Sequence, residues 1–138
     1  MRSVIRLALC VAGLAISVYL TMVHYDSHVP LVCSTQGIID CEGVLTSPQS
    51  SVLGLPVALY GVVWFLVMGG LVLADMRQQA PEWLADASLG WTLVGVASVA
   101  YLLYAELGLV GRICLWCTSV HLIVLVLFLM QALQPRTT

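Results

Sequence analysis

The sequence predicts an all-α integral membrane protein, a four-helix bundle whose first extracytoplasmic loop could hold one short helix. Three observations carry this. Of 138 residues, 61% are hydrophobic and only 9% are charged, and the mean hydropathy is +1.03. A soluble domain charges about a quarter of its residues, so most of this surface must face lipid instead of water. Next, four charge-free runs occur, Leu7–Val23, Val52–Ala74, Leu89–Ala105 and Ile113–Leu133. Each reaches or approaches the roughly 20 residues that a helix needs to cross the hydrocarbon. Finally, the length corresponds to about one domain, so residues 1–138 are expected to form a single membrane domain. With a net charge of −2, no lysine and no basic stretch, nucleic-acid binding is excluded as a function class.

Inside lipid every backbone N–H and C=O must be paired within the protein, so the four runs are helices. Their expected spans are about 5–24, 52–74, 88–108 and 113–133. Arg2 and Arg6 precede the first run as they would in a signal peptide, but no small-residue cleavage pattern follows. The run is read as a retained span, and the apolar stretch before Cys10 is too short for a lipoprotein signal. In the loop Asp26–Ser51, Ile39-Asp40-Cys41-Glu42 is followed by Thr46-Ser47-Pro48-Gln49-Ser50-Ser51. Ser47 or Ser50 could cap a short helix there or offer a hydrogen bond to a ligand. A plain polar surface loop is the competing reading. Pro56 falls in the first turns of the second run, where a missing N–H costs little. Gly108 and Gly111 loosen the very short connection between the third and fourth runs, and Pro135 closes the last.

Orientation follows from the arginines. Arg2, Arg6, Arg77 and Arg136 fall on one side and only Arg112 on the other. The positive-inside rule then puts both termini in the cytoplasm and residues 24–51 and 108–113 outside. The expected location is the plasma (inner) membrane, with the outer side oxidising.

Of the five cysteines, Cys10 is expected to be a small buried hydrophobe. The other four fall on the outer side: Cys33 and Cys41 in the first loop, Cys114 and Cys117 at the start of the fourth helix. At spacing i, i+3 the Cys-Leu-Trp-Cys side chains share a helix face with Cβ atoms about 5–6 Å apart. That is slightly long for a disulfide, so a bond there is reducible. The helix N-terminus favours thiolate at the first cysteine, and Arg112 could add to this. Seven residues separate Cys33 from Cys41, short enough to close a small disulfide loop. Two alternatives stand beside redox exchange. Four thiolates without a neighbouring carboxylate or histidine would suit a closed structural zinc site, making a non-catalytic metal-binding membrane protein. Two structural disulfides are the other, although an i, i+3 helical pair constrains almost nothing.

His121 lies four residues past Cys117 on the same helix face and should point into the bundle. It either bonds a neighbouring helix or serves a quinone carbonyl. Glu106 is expected to reach the interface at the outer end of span three, because placing it mid-membrane would cost about 2.5–3.5 kcal/mol or more.

These residues together resemble the vitamin K epoxide reductase family in its small prokaryotic form. The matching pieces are His24-Tyr25, Cys33, Asp40-Cys41-Glu42, Ser47, Ser50-Ser51 with Gly54 and Pro56, Tyr101-Leu102 to Glu106, and Cys114-Leu115-Trp116-Cys117-Thr118 with His121. The order is specific, with the loop pair first and Cys-x-x-Cys opening the last helix. The resemblance implies a four-helix bundle around a quinone (menaquinone or ubiquinone) and no metal. It implies that Cys114 and Cys117 form the active-site pair, with Cys117 facing the quinone. Cys33 and Cys41 correspond to the shuttle pair, with Ser50, Ser47 and His121 near the quinone oxygens. Vertebrate members have asparagine and tyrosine where this chain has Ser50 and His121. That departure favours plain quinone reduction, in the service of disulfide formation, over reduction of vitamin K epoxide. Many bacterial relatives carry a fused thioredoxin-like domain that is missing here, which implies a separate thioredoxin-fold disulfide oxidase as partner.

Overall fold

The computed structural model describes residues 1–33 and 36–135. Arg136, which contributed to the orientation argument, lies outside the described residues. The elements in order are α1 (Arg2–Tyr25), a short α2 (Cys41–Leu45), a 3₁₀ turn (Pro48–Ser50), β1 (Ser51–Val52), β2 (Leu55–Pro56), α3 (Val57–Asp75), α4 (Trp83–Tyr104) and α5 (Leu115–Ala132). The expected short loop helix is present as α2. A six-residue π-helical segment, Ala105–Val110, continues α4 without a break. Four helices are therefore long and apolar enough to cross a membrane.

Each long helix buries a narrow stripe. In α1 it is Arg6, Cys10, Gly13, Ser17 and Leu20, and in α4 it is Leu84, Ser88, Thr92, Gly95 and Val99. Spacings of three and four residues place each set on one face. The remaining faces are also apolar, with Val11, Val63, Leu66, Leu93 and Leu122 exposed, as lipid-facing surfaces require. Small residues in the stripes allow close helix approach, which in lipid substitutes for a hydrophobic driving force. A Cβ on Gly13 would collide with the Phe65 ring. Only glycine lets α1 settle on α3 there.

The helices form a ring in which α1 contacts α3 and α5, and α4 contacts α3 and α5. Trp64 and Trp91 clasp α3 to α4, each indole N–H donating to the other residue's carbonyl at 3.1 Å. Phe65, Met68, Val72 and Leu127 fill the core beside Cys10, which is the buried apolar residue expected. Arg6, Asp75 and Gln134 meet by hydrogen bonds at one end of the bundle. The loop cysteines and the α5 cysteines meet at the other.

Three boundaries differ from the sequence reading. The second span starts at Val57 instead of 52, because Ser51–Pro56 folds into a tight antiparallel hairpin. Leu53 and Gly54 turn it with φ of 53° and 80°, and Pro56 becomes the N-cap instead of an early helical residue. The third span starts earlier, at Trp83, with Asp86 in its first turn. It also runs on through Gly108 to Val110, so Gly108 is helical and does not loosen a turn. The stop is Gly111, whose φ of 69° is left-handed, a conformation costly for residues with a Cβ.

Candidate redox site

The first loop is fastened to the bundle at two places. Tyr19 of α1 donates its hydroxyl to the Pro30 carbonyl at 2.7 Å and accepts from the Val32 N–H. Trp116 of α5 donates its indole N–H to the Val32 carbonyl at 2.8 Å and meets the Tyr19 ring edge-on. Farther along, the loop pairs with the residue before Cys114. Asp40 N–H donates to the Ile113 carbonyl at 3.0 Å, and Ile113 N–H donates to the Ile38 carbonyl at 2.8 Å. The Asp40 carboxylate also accepts from Gly43 N–H, capping α2, and pairs with Arg112. Arg112 is therefore engaged by a carboxylate, a correction to its expected role beside the thiolate.

This stitching sets one cysteine pair over the other. Cys33 and Cys41 are joined by a disulfide with Cα atoms 6.2 Å apart. Cys114 and Cys117 are free thiols. Cys41 and Cys114 are 1% and 0% exposed and share one buried cluster with Val44, against which Cys33, Trp116 and Cys117 pack. Cys33 is only half-buried, at the rim.

Cys114 is the N-cap of α5, just before the membrane-spanning residues, and its sulfur accepts the Cys117 N–H at 3.3 Å. The pair thus straddles the helix start, where one terminal N–H is satisfied by sulfur in place of the usual oxygen. The hydrogen bond from the Cys117 thiol holds the Cys114 thiol below its ordinary range, against the opposing effect of burial. Cys114 is the better leaving group and the readier thiolate.

Cys117 opens into a cavity of about 490 Å³ between the four helices and the loop. Its walls are largely apolar, with Trp64, Trp91 and Phe65 prominent, and its polar lining includes His24, Ser47, Ser50, Glu106 and His121. All four residues expected near the acceptor, Cys117, His121, Ser50 and Ser47, line this one space. The serine hydroxyls already donate, Ser47 to the Val44 carbonyl and Ser50 to the Ser47 carbonyl, both at 2.7 Å. Neither side chain caps the 3₁₀ turn. His121 is 4% exposed, and its Nδ1 has no hydrogen-bond partner among the described residues. A buried histidine with an unsatisfied ring nitrogen, lining an apolar space of this size, fits a planar acceptor with a carbonyl oxygen.

Glu106, at the outer end of its span, is buried within the protein at 5% exposed and lies close to the backbone of Cys114. The π-helical segment explains this. Its wider turn brings Ala105 and Glu106 inward while Leu107 and Leu109 face out. π-Segments of this kind recur at functional sites. The sequence signal was available in one form, a carboxylate inside an apolar run eight residues before a cysteine. Tyr19 and Trp116 carried no comparable signal, because their roles depend on where the loop lies.

A membrane bundle with two cysteine pairs at one end, one of them opening into an apolar cavity, is the architecture of a thiol oxidoreductase acting on a lipid-soluble partner. Residues 4–132 match the Vitamin K epoxide reductase family, and the chain belongs to it. Membership makes this a multi-pass membrane oxidoreductase of quinone-linked thiol chemistry.

Proposed function

We propose that the protein draws electrons from a separate thioredoxin-fold disulfide oxidase and delivers them to menaquinone or ubiquinone, thereby promoting disulfide formation outside the plasma (inner) membrane. The observation that carries this reading is the shared burial of Cys41 and Cys114, with Cys33 at the rim on one side and Cys117 on the cavity on the other.

In the reaction, a thiolate of the partner attacks Cys33 and releases Cys41 thiolate; the partner's second thiolate then attacks the partner sulfur of that mixed disulfide, expelling Cys33 thiolate and leaving the partner oxidised. Cys41 thiolate attacks Cys114 of an oxidised Cys114–Cys117 pair and expels Cys117 thiolate. Cys33 attacks Cys41 in turn, restoring the loop disulfide and releasing Cys114. A bonded loop pair beside two free thiols is the state this exchange leaves behind. A quinone in the cavity takes up two electrons and two protons. As the electrons depart, Cys114 and Cys117 close their disulfide. His121 holds a proton at Nδ1 toward the acceptor oxygen, and Ser50 and Ser47 line the rim of the same space. The apolar walls exclude water from the exchange. Both termini lie in the cytoplasm in this reading, with four arginines against one as support.

Cys117→Ser tests the order of exchange. Without Cys117, Cys114 thiolate can only attack Cys41 of the loop disulfide and expel Cys33; with the released Cys33 blocked by alkylation, peptide mapping should recover the Cys41–Cys114 crosslink as the dominant species. A Cys33–Cys114 crosslink, or none, overturns the relay. Purified protein with dithiothreitol should reduce quinones but not vitamin K epoxide, and epoxide turnover would transfer the same site to that substrate.

A further inference from the structure

The end of the bundle away from the cysteines holds a second cavity, which the redox chemistry leaves unused. It measures about 220 Å³ and is lined by Arg2, Ser3, Arg6, Met130, Gln134 and Pro135. Arg6 belongs to a membrane-spanning helix, yet it is only 3% exposed. Its Nη1 donates to Asp75 at 2.9 Å and to the Gln134 side-chain oxygen at 3.3 Å. Its Nε and Nη2 are buried and have no partner among the described residues. A desolvated guanidinium is normally saturated on every edge, since each unmet donor forfeits a hydrogen bond that water would have supplied. Here one edge is saturated and the other is left without an acceptor beside a cavity.

The location narrows what the missing acceptor is. At about 1.5 Å per residue, α1 is about 36 Å long, against a hydrocarbon core of about 30 Å, so its first turns reach the headgroup layer. Arg2 adds a second positive charge to the lining, and the positive end of the α1 dipole points the same way. The guanidinium fork matches two oxygens of one phosphate group. We propose that this cavity binds a phosphate group, with Arg6 Nε and Nη2 as its hydrogen-bond donors and Arg2 as the supporting charge. The phosphate comes either from an anionic phospholipid headgroup or from free phosphate.

Delipidated, detergent-solubilised full chain should be titrated with phosphatidylglycerol, phosphatidylcholine and inorganic phosphate while thermal unfolding is followed, since a ligand of the folded state raises the melting temperature. Phosphatidylglycerol should raise it by several degrees, and Arg6→Gln should abolish the rise. An equal rise with inorganic phosphate, also lost in Arg6→Gln, assigns the site to the free ion and keeps the proposal. No rise with either, or a rise unchanged in Arg6→Gln, overturns it. Should Arg6→Gln fail to fold, two milder variants decide. Arg2→Gln should weaken binding severalfold with dithiothreitol-driven quinone reduction unchanged. Asp75→Asn should bind at least as tightly as wild type, because it releases Arg6 from its carboxylate. Unaltered binding in Arg2→Gln, or lost binding in Asp75→Asn, means that Arg6 only ties helices together.

Discussion

The two cysteine pairs sit within one cluster but are held in opposite ways. Cys114 and Cys117 stand at the start of a continuous 18-residue helix, α5. Moving them means moving a membrane span. Cys41 opens a five-residue helix, and Cys33 lies on a loop. That segment is attached by a few hydrogen bonds, a ring contact and one ion pair. Helices this short are not stable by themselves, so the loop pair depends on its fastenings, whereas the helix pair is fixed by the bundle. The difference suits a relay in which one pair exchanges partners and the other stays beside the cavity.

The sharpest way to break this comparison is to remove each pair in turn. Cys114→Ala or Cys117→Ala should lower quinone reduction by on the order of 10³-fold or more with any electron donor, because each removes a thiol the chemistry consumes. Cys33→Ala or Cys41→Ala should retain turnover driven by dithiothreitol, which can reach the helix pair directly. The same variants should lose turnover driven by a protein dithiol. Quinol formation with each donor is the measurement. Equal loss with both donors would make the loop pair part of the active site and remove the distinction.

A smaller effect concerns the helix pair itself. Cys114 is held below the ordinary thiol range chiefly by the hydrogen bond from the Cys117 thiol. Its thiolate is therefore present at a lower pH than that of a free cysteine. Cys117→Ala deletes that donor and should move the midpoint upward, so less thiolate exists at neutral pH. Cys117→Ser keeps a hydroxyl donor and should move it less. Thiolate ultraviolet absorbance against pH, in a background carrying Cys33→Ser and Cys41→Ser so that Cys114 has no disulfide to attack, reads both. Identical midpoints in all three proteins would assign the shift to the helix terminus.

The comparison also shows what the sequence could disclose. Four spans and both cysteine pairs follow from composition and spacing, since a helix in lipid satisfies its own backbone and a 20-residue apolar run has one outcome; the loop helix was only one of two readings of the loop residues. Span ends did not follow. Val52–Pro56 is as apolar as the helix after it, and only a hairpin turned by Leu53 and Gly54 separates them. Nor did the burial of Glu106 follow, which depends on the π-wound turn that ends the third span. The Cys33–Cys41 loop was legible as a possible disulfide, but its seating under Trp116 and beside Ile113 was not. Those bonds join positions 73 to 84 residues apart, and all but the Trp116 indole are backbone groups, which carry no residue-specific signal.

The least disruptive test loosens one fastening. Asp40 does two separable things, capping α2 through Gly43 N–H at 2.9 Å and pairing with Arg112, which is half-exposed. Loss of an N-cap costs about 0.5–2 kcal/mol, and a largely exposed ion pair contributes about 0–1 kcal/mol. Asparagine caps as well as aspartate does, so Asp40→Asn should lose only the ion pair, as should Arg112→Gln. Asp40→Ala loses both. Turnover from a protein dithiol should fall a fewfold in Asp40→Ala and less in the other two, with dithiothreitol-driven turnover unchanged in all three. The effect stays small because the backbone bonds from Asp40 to Ile113 and from Ile113 to Ile38 survive each substitution. If Asp40→Asn were as slow as Asp40→Ala, the ion pair and not the cap would be what holds Cys41 over Cys114.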